Sequence, residues 1–358
     1  MSDYIKLFET ESLQDTFRSG SNYVQPHISY STQEQKVKFN KYSNETYAKL
    51  SKPLTFDILT DGTLIWASNN DGQQKTIQYK KNNDNWVSIK CQKSNPPVIN
   101  VSEGDVIQIK GNNSSYYYKG TAGISDHYCY FSGTCSFNAS GNIMSLISAN
   151  FISNTTANWY ALGRLFYSSN IISAENLVLP ATTLSTGCYL GMFSNSKLVT
   201  PPELPATTLS ELCYKDMFYY CTSLTSVPEL PATTLATNCY YQMFCACTNL
   251  TTAQSILPAT TLVTGCYQEM FRNCTNITSA PVLPAEILVE SCYSSMFSNC
   301  SNLNYVECMA TDISASNCTS SWLNNVSSTG TFKKNNNTTW STGSSGIPDG
   351  WTVVNITV

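Results

Sequence analysis

Fifteen Cys, two His and a thin set of acids are the side chains in this 358-residue chain with the chemistry of a reactive site. The Cys recur in two series, Cys188, Cys213, Cys239, Cys266, Cys292 and then Cys221, Cys247, Cys274, Cys300. Zinc needs four convergent Cys or His ligands, and a pair such as Cys213 and Cys221 does not supply them. His27 and His127 are far apart in sequence, which argues against a His-based metal site or a serine-protease-like triad. A secreted disulfide scaffold is normally short with an even Cys count, and this chain is neither. Buried reduced thiols are therefore expected, with disulfides between neighbouring repeats as the alternative. Paired carboxylates would suit glycoside hydrolysis. Glu203 and Glu229 share a repeat position, but Ile256 and Val282 occupy it in the next two copies, so solubilising surface acids are expected instead. No catalytic residue, metal or cofactor is expected.

The remaining candidates are aromatic. Tyr189, Tyr214, Tyr240, Tyr267 and Tyr293 each follow a repeat Cys and form a row. A Tyr offers a flat apolar ring with a polar tip, which suits sugar or protein surfaces. A periodic position is also what stacking demands, so the row reads as packing or as binding surface. Tyr219, Tyr220 and Tyr241 fall outside the period and are better binding candidates. So are Tyr117, in the Tyr116–Tyr118 run, and the Tyr128/Tyr130 pair.

The elements that carry these residues repeat. Leu-Pro-Ala-Thr-Thr-Leu begins at Leu179, Leu204, Leu230 and Leu257, with a worn copy at Leu283. Cys-Tyr and then Met-Phe follow in each, then a second Cys, replaced by Ser196 in the first copy, and an aliphatic at Leu224, Leu250, Ile277 and Leu303; successive Cys-Tyr pairs lie 25, 26, 27 and 26 residues apart. Leu209, Cys213 and Met217 at i, i+4 and i+8 predict one face of a short helix, with Thr208 and Glu211 at capping-box spacing. Leu224–Val227 alternates as a strand does and ends at Pro228. A single unit cannot bury its apolar face, but stacked units can. The expected repeat core is Cys188, Cys213, Cys239, Cys266 and Cys292 with Met217, Phe218, Met243, Phe244, Met270 and Phe271. Leu165-Phe166 before the array and Cys318 with Trp322-Leu323 after it read as degenerate end copies, and Trp340 and Trp351 as cover for the last one.

The pattern Cys-Tyr-x-x-Met-Phe-x-x-Cys-Thr-x-Leu-Thr resembles the BspA-like leucine-rich repeat family, strongly over 177–303. Phe271, Cys274 and Ile277 match that family's unit, while Cys266 and Met270 stand where it has Ile and Ala. The Leu-Pro-Ala-Thr-Thr-Leu variant is similar to repeats in proteins of gut Bacteroidales and their phages. The resemblance implies a curved binding solenoid with no catalytic residues.

The expected fold class is α+β/β and multi-domain: a mostly-β module, read as a small β-sandwich, followed by a leucine-rich-repeat solenoid of helix–strand units of about 26 residues. The expected boundaries are an attachment segment over 1–50, a β-sandwich-like domain over 51–140, the solenoid with its degenerate caps over 141–330, and a capping segment over 331–358. Alternating runs at Leu54–Ile58, Thr76–Tyr79, Trp86–Ile89 and Val106–Ile109, separated by turn signals, carry the β reading. Within 1–50, Tyr4–Phe8 reads as a strand, Glu9–Arg18 as a short helix, and Pro26–Tyr30 with Lys36–Phe39 as a hairpin. The arrangement is similar to the N-terminal segment of structural proteins of Bacteroides-infecting phages.

Only 12% of residues are charged, about half the usual share of roughly 25%, and the net charge is −4. A nucleic-acid partner is not expected from that balance, nor membrane insertion from runs this short. The start carries no secretory leader pattern, which favours cytoplasmic assembly. The expected role is a non-enzymatic phage virion protein, a head or tail fibre displaying a repeat surface for host adhesion. Its expected partners are other virion proteins through the N-terminal segment, a host-surface glycan or protein, and further copies of itself, a trimer by phage analogy. A bacterial cell-surface adhesin is the alternative, and a polysaccharide-degrading enzyme is a remote one.

Overall fold

The computed structural model describes residues 47–72, 74–120 and 126–356. The strand, helix and hairpin expected within residues 1–46, and so nearly all of the attachment segment, lie outside the described residues.

The first part is β. Strands β1 (Leu54–Ile58), β2 (Gly62–Ser68), β3 (Thr76–Lys81), β4 (Val87–Lys90), β5 (Val98–Val101), β6 (Val106–Gly111), β7 (Tyr117–Tyr118), β8 (His127–Gly133), β9 (Phe137–Asn142) and β10 (Ile171–Val178) form two sheets. One runs β10-β9-β1-β6-β3-β4 and the other β5-β2-β8-β7. Alternation decides which side chains face inward: Ile107 and Ile109 of β6 are buried, as are Ile99 and Val101 of β5. Phe56 of β1 meets Phe131 of β8 edge-on at 5.0 Å, and Trp66 of β2 lies 4.6 Å from Phe131, so the two sheets share one aromatic core.

The repeats contain no helix. Among the described residues α-helix is confined to 47–51, so the expected helix–strand units are not what forms. Each Cys-Tyr-x-x-Met-Phe segment is instead a run of overlapping tight turns. The amides of Cys213, Lys215, Met217, Tyr219 and Cys221 each donate to the carbonyl three residues back. The amides between them, Tyr214, Asp216, Phe218 and Tyr220, donate to Cys239, Tyr241, Met243 and Cys245 of the next repeat. Local and inter-repeat bonds therefore alternate along the chain, and every backbone donor of the run is satisfied. The geometry places every fourth residue at positive φ: Leu212, Asp216 and Tyr220 in this coil, then Asn238, Gln242 and Ala246 in the next. Such a conformation costs an L-residue roughly 1–2 kcal/mol, offset here by the ladder to the neighbouring coil.

The sequence misled because i, i+4, i+8 fits a strict period of four as well as one of 3.6. Over eight residues an α-helix would drift roughly 80° away from that line. A helix would also keep every amide bond inside the unit, leaving none to join the coils. Leu224–Val227 likewise forms no strand but contributes one isolated parallel bridge, Ser226 to Thr252. Thr208 caps nothing; it bridges Thr183 on one side and Thr234 on the other.

Stacked coils align identical side chains. Phe166, Phe193, Phe218, Phe244, Phe271 and Phe297 form a continuous column, with neighbouring rings 5.3–5.7 Å apart and nearly parallel. A second column runs Tyr189, Tyr214, Tyr240, Tyr267, Tyr293 and ends on Trp322 and Trp340. The first-series Cys and the Met between the columns are fully buried. The second-series thiols of Cys221, Cys247, Cys274 and Cys300 donate to the carbonyls of Phe193, Phe218, Phe244 and Phe271, one coil earlier, at 3.0–3.1 Å. That bond gives a specific reason for Cys at this position beyond apolar filling.

Both ends of the stack are joined to sheet. β10 pairs in parallel with β9 and bridges Thr200 through Ser173, and Phe131 of β8 donates to Leu165 of the first coil. At the far end, β11 (Tyr305–Cys308), β12 (Thr331–Asn335) and β13 (Thr352–Ile356) form a parallel sheet. Trp340 and Trp351 are buried there, Trp340 beside Phe332.

Candidate functional site

The periodic tyrosines are packing. Tyr189, Tyr214, Tyr240, Tyr267 and Tyr293 are at most 1% exposed, so none of them can form a binding surface. Tyr117 is buried too; its ring stacks 5.4 Å from Tyr160 and its hydroxyl donates to Asp126. Tyr219, Tyr220 and Tyr241 do reach the surface, and Tyr220 is 51% exposed. The expected core residues, including Met217, Phe218, Met243, Phe244, Met270 and Phe271, are buried in the stack.

The three accessible tyrosines lie on the face of the stack made by the tight turns. Each positive-φ position recurs in every coil, so that face carries residues in rows. The middle row reads Arg164, Gly191, Asp216, Gln242, Glu269, Ser295, Ser321. A neighbouring row carries Asn195, Asn273, Asn299 and Asn325, whose amides bond from coil to coil: Asn299 donates to Asn273 and Asn325 to Asn299, both at 2.8 Å. Tyr220 stands in that row where a ladder asparagine would serve the stack. Departures from the repeat concentrate in the earlier coils, whereas the last two carry small serines in the middle row.

Those departures converge. A cleft of about 200 Å³ lies at Arg164 and Asp216 and is walled by Tyr167, Tyr219, Tyr220 and Asn195. The Arg164 guanidinium lies over the rings of Tyr128 and Tyr167, 5.1 and 5.2 Å from their centres. Tyr130 packs against Tyr128 at 5.5 Å, so the aromatic strip continues onto β8. On the other side Lys215 lies 4.8 Å over the Tyr241 ring. Trp159, 73% exposed, stands at the start of the first coil.

Two acids of the middle row differ in a telling way. Glu269 is held by Arg272 at 2.7 Å, Gln242 at 2.9 Å and Tyr241 at 3.2 Å. Burial pushes its carboxyl up, but these bonds outweigh it and hold it below the ordinary range. Asp216 meets Lys215 4.0 Å from its Oδ2. Its buried Oδ1 has no hydrogen-bond partner among the described residues, and neither has the buried Nε of Arg164. Burial pushes the Asp216 carboxyl up to about 6, with Lys215 and Arg164 pulling the other way.

Glu203 and Glu229 are exposed and do not line this cleft. All fifteen Cys are buried outside any disulfide, and Cys91 and Cys129 bring their sulfurs to 2.7 Å between the sheets. Among the described residues no group of His, Cys, Asp or Glu is placed to hold a metal ion, and no helix is long and apolar enough to cross a membrane.

Sequence reasoning missed Arg164, Tyr167 and Asp216. Their signal was present as breaks in the row pattern, but the rows become visible only once the period of four is known. No protein-family model, curated protein or solved structure matches the chain.

Proposed function

We propose that the chain is a non-enzymatic fibre protein of a phage virion, which holds a host-surface glycan on the turn face of its stacked coils. The repeat resemblance supports the virion reading. The observation that carries the adhesion reading is the convergence of Tyr167, Tyr219 and Tyr220 with Arg164 and Asp216 around an open cleft, at positions where the stack itself would be served by other residues. Flat rings with polar tips cover sugar faces, and a shallow cleft beside them holds one unit of a longer chain. The segment over 1–50 is the attachment end in this reading, and the coils point outward.

The test uses purified full-length protein on intact host cells. It should coat the cells and block adsorption of the phage, and oxidising the surface glycans with periodate should abolish both effects. Coating that survives periodate and yields to protease would replace the glycan with a protein receptor. Protein that neither coats cells nor affects adsorption would refute the adhesion reading.

A further inference from the structure

Stacking of the coils accounts for most of the cysteines, but not for Cys91 and Cys129. These two lie before the coils, 38 residues apart in sequence. Cys129 stands within β8, and Cys91 directly follows β4, the edge strand of the other sheet. In the coils the second-series thiols are aimed at carbonyls. Here sulfur faces sulfur at 2.7 Å, close to the bonded length of about 2.05 Å. The backbone fixes that approach from both sides. The Cys91 amide donates to the Lys75 carbonyl and its sulfur accepts from the Lys75 amide, both at 3.0 Å. Gln92, the next residue, bridges Ala67 of β2, and Ser68 of β2 stands opposite Cys129 of β8.

We infer that Cys91 and Cys129 are an oxidation site, a thiol pair that hydrogen peroxide closes to a disulfide joining the two sheets. The two thiols have different roles. Cys91 already accepts from the Lys75 amide, so the Cys129 thiol is the donor between the sulfurs. That bond holds the Cys91 thiol below its ordinary value against the effect of burial, while the same contact and burial push Cys129 up. Cys91 is therefore the better nucleophile and Cys129 the resolving thiol. The Cys91 sulfur attacks one peroxide oxygen, the O–O bond breaks, and the departing hydroxide leaves as water with the Cys91 proton. The sulfenic acid so formed is attacked by Cys129. The S–S bond forms, the S–O bond breaks, and a second water leaves with the Cys129 proton. Two thiols give up two electrons, and one peroxide becomes two waters. Both side chains are buried, so the oxidant enters when their cover opens. That cover is thin and polar: Lys75 touches Cys91 and is itself half-buried, and Asp71 and Gly72 of the same turn are exposed. Small thiols keep such a pair open in a reducing compartment. The inference does not depend on the adhesion reading.

The experiment uses the purified full chain, reduced, freed of reductant and then treated with hydrogen peroxide under native conditions. Thiols counted afterwards in denaturant should be two fewer than the fifteen of the untreated chain. A peptide map should join Cys91 to Cys129, and dithiothreitol should restore both. Cys91→Ser should lose no thiol under the same treatment. The wild-type map decides the question even if that variant does not fold. A bridge across this span constrains the unfolded chain, so the unfolded-to-folded ratio in urea should fall by roughly thirtyfold or more. Fifteen intact thiols after treatment, a bridge to any other Cys, sulfinic acid at Cys91 in place of a bridge, or a bridge that leaves unfolding as easy as before overturns the inference.

Discussion

Asp216 should make the folded protein less stable at neutral pH than at mild acid, and replacing it with Asn should remove that penalty. In the unfolded chain its carboxyl loses its proton near the ordinary value of 3.8, whereas in the fold burial holds the proton until about 6. Between those values the folded state binds more protons than the unfolded one, so stability falls as pH rises through the window and stays lowered above it. At about 1.4 kcal/mol per pH unit, the rise from 3.8 to about 6 corresponds to about 3 kcal/mol. The side chain is only 19% exposed, so solvent screening removes little of this. Asn is neutral at every pH and close in shape to the protonated acid. Urea unfolding of wild type and Asp216→Asn, followed by circular dichroism, should therefore give matching stabilities at pH 3.5. At pH 7.5 the variant should be more stable by about 2–3 kcal/mol. The comparison cancels carboxyls that shift the other way, such as Asp105, held down to about 2 by its hydrogen bond from Lys81. A difference that is the same at both pH values, or a variant less stable at pH 7.5, would show that Asp216 is satisfied in the fold and that the cleft has no unpartnered acid.

Tyr267 carries a buried hydroxyl with no partner among the described residues, so Tyr267→Phe keeps the ring column and removes an orphan. It should raise stability by about 1 kcal/mol in the same urea assay, and a loss of that size would mean the hydroxyl is bonded. Cys274→Val should cost about 1 kcal/mol by removing the thiol that donates to Phe244, and unchanged stability would mean that this bond contributes nothing. Burial pushes the thiols of Cys300 and Cys308 up to about 12. A thiol reagent at pH 8 should thus find almost nothing in native protein and most of the fifteen Cys after denaturation without reductant; a low denatured count would mean disulfides hold the repeats.

Much was legible in the residues alone. Alternation with Gly and Asn turn signals marked β1, β3 and β6, because a strand with one buried face must alternate. The repeat period and its inward Cys, Met and Phe were equally plain, since stacking requires the same apolar side chain at the same place in each copy, whereas the Tyr row stayed open between packing and binding. The local conformation of the repeat was not. Leu209, Cys213 and Met217 at intervals of four satisfy a helix, and propensity gives no warning that Asp216 or Tyr220 sits at positive φ. What decides against the helix is long-range: the amides of Tyr214, Asp216, Phe218 and Tyr220 bond to a coil about 26 residues later, a gain that only the assembled stack supplies. The same limit hid the cleft. The sequence determined which residues repeat and which break the pattern. Only the tertiary structure decided that the breaks at Arg164, Gly191, Asp216, Tyr219 and Tyr220 meet on one face, because their neighbourhood is set by the stacking of coils and not by their distance along the chain.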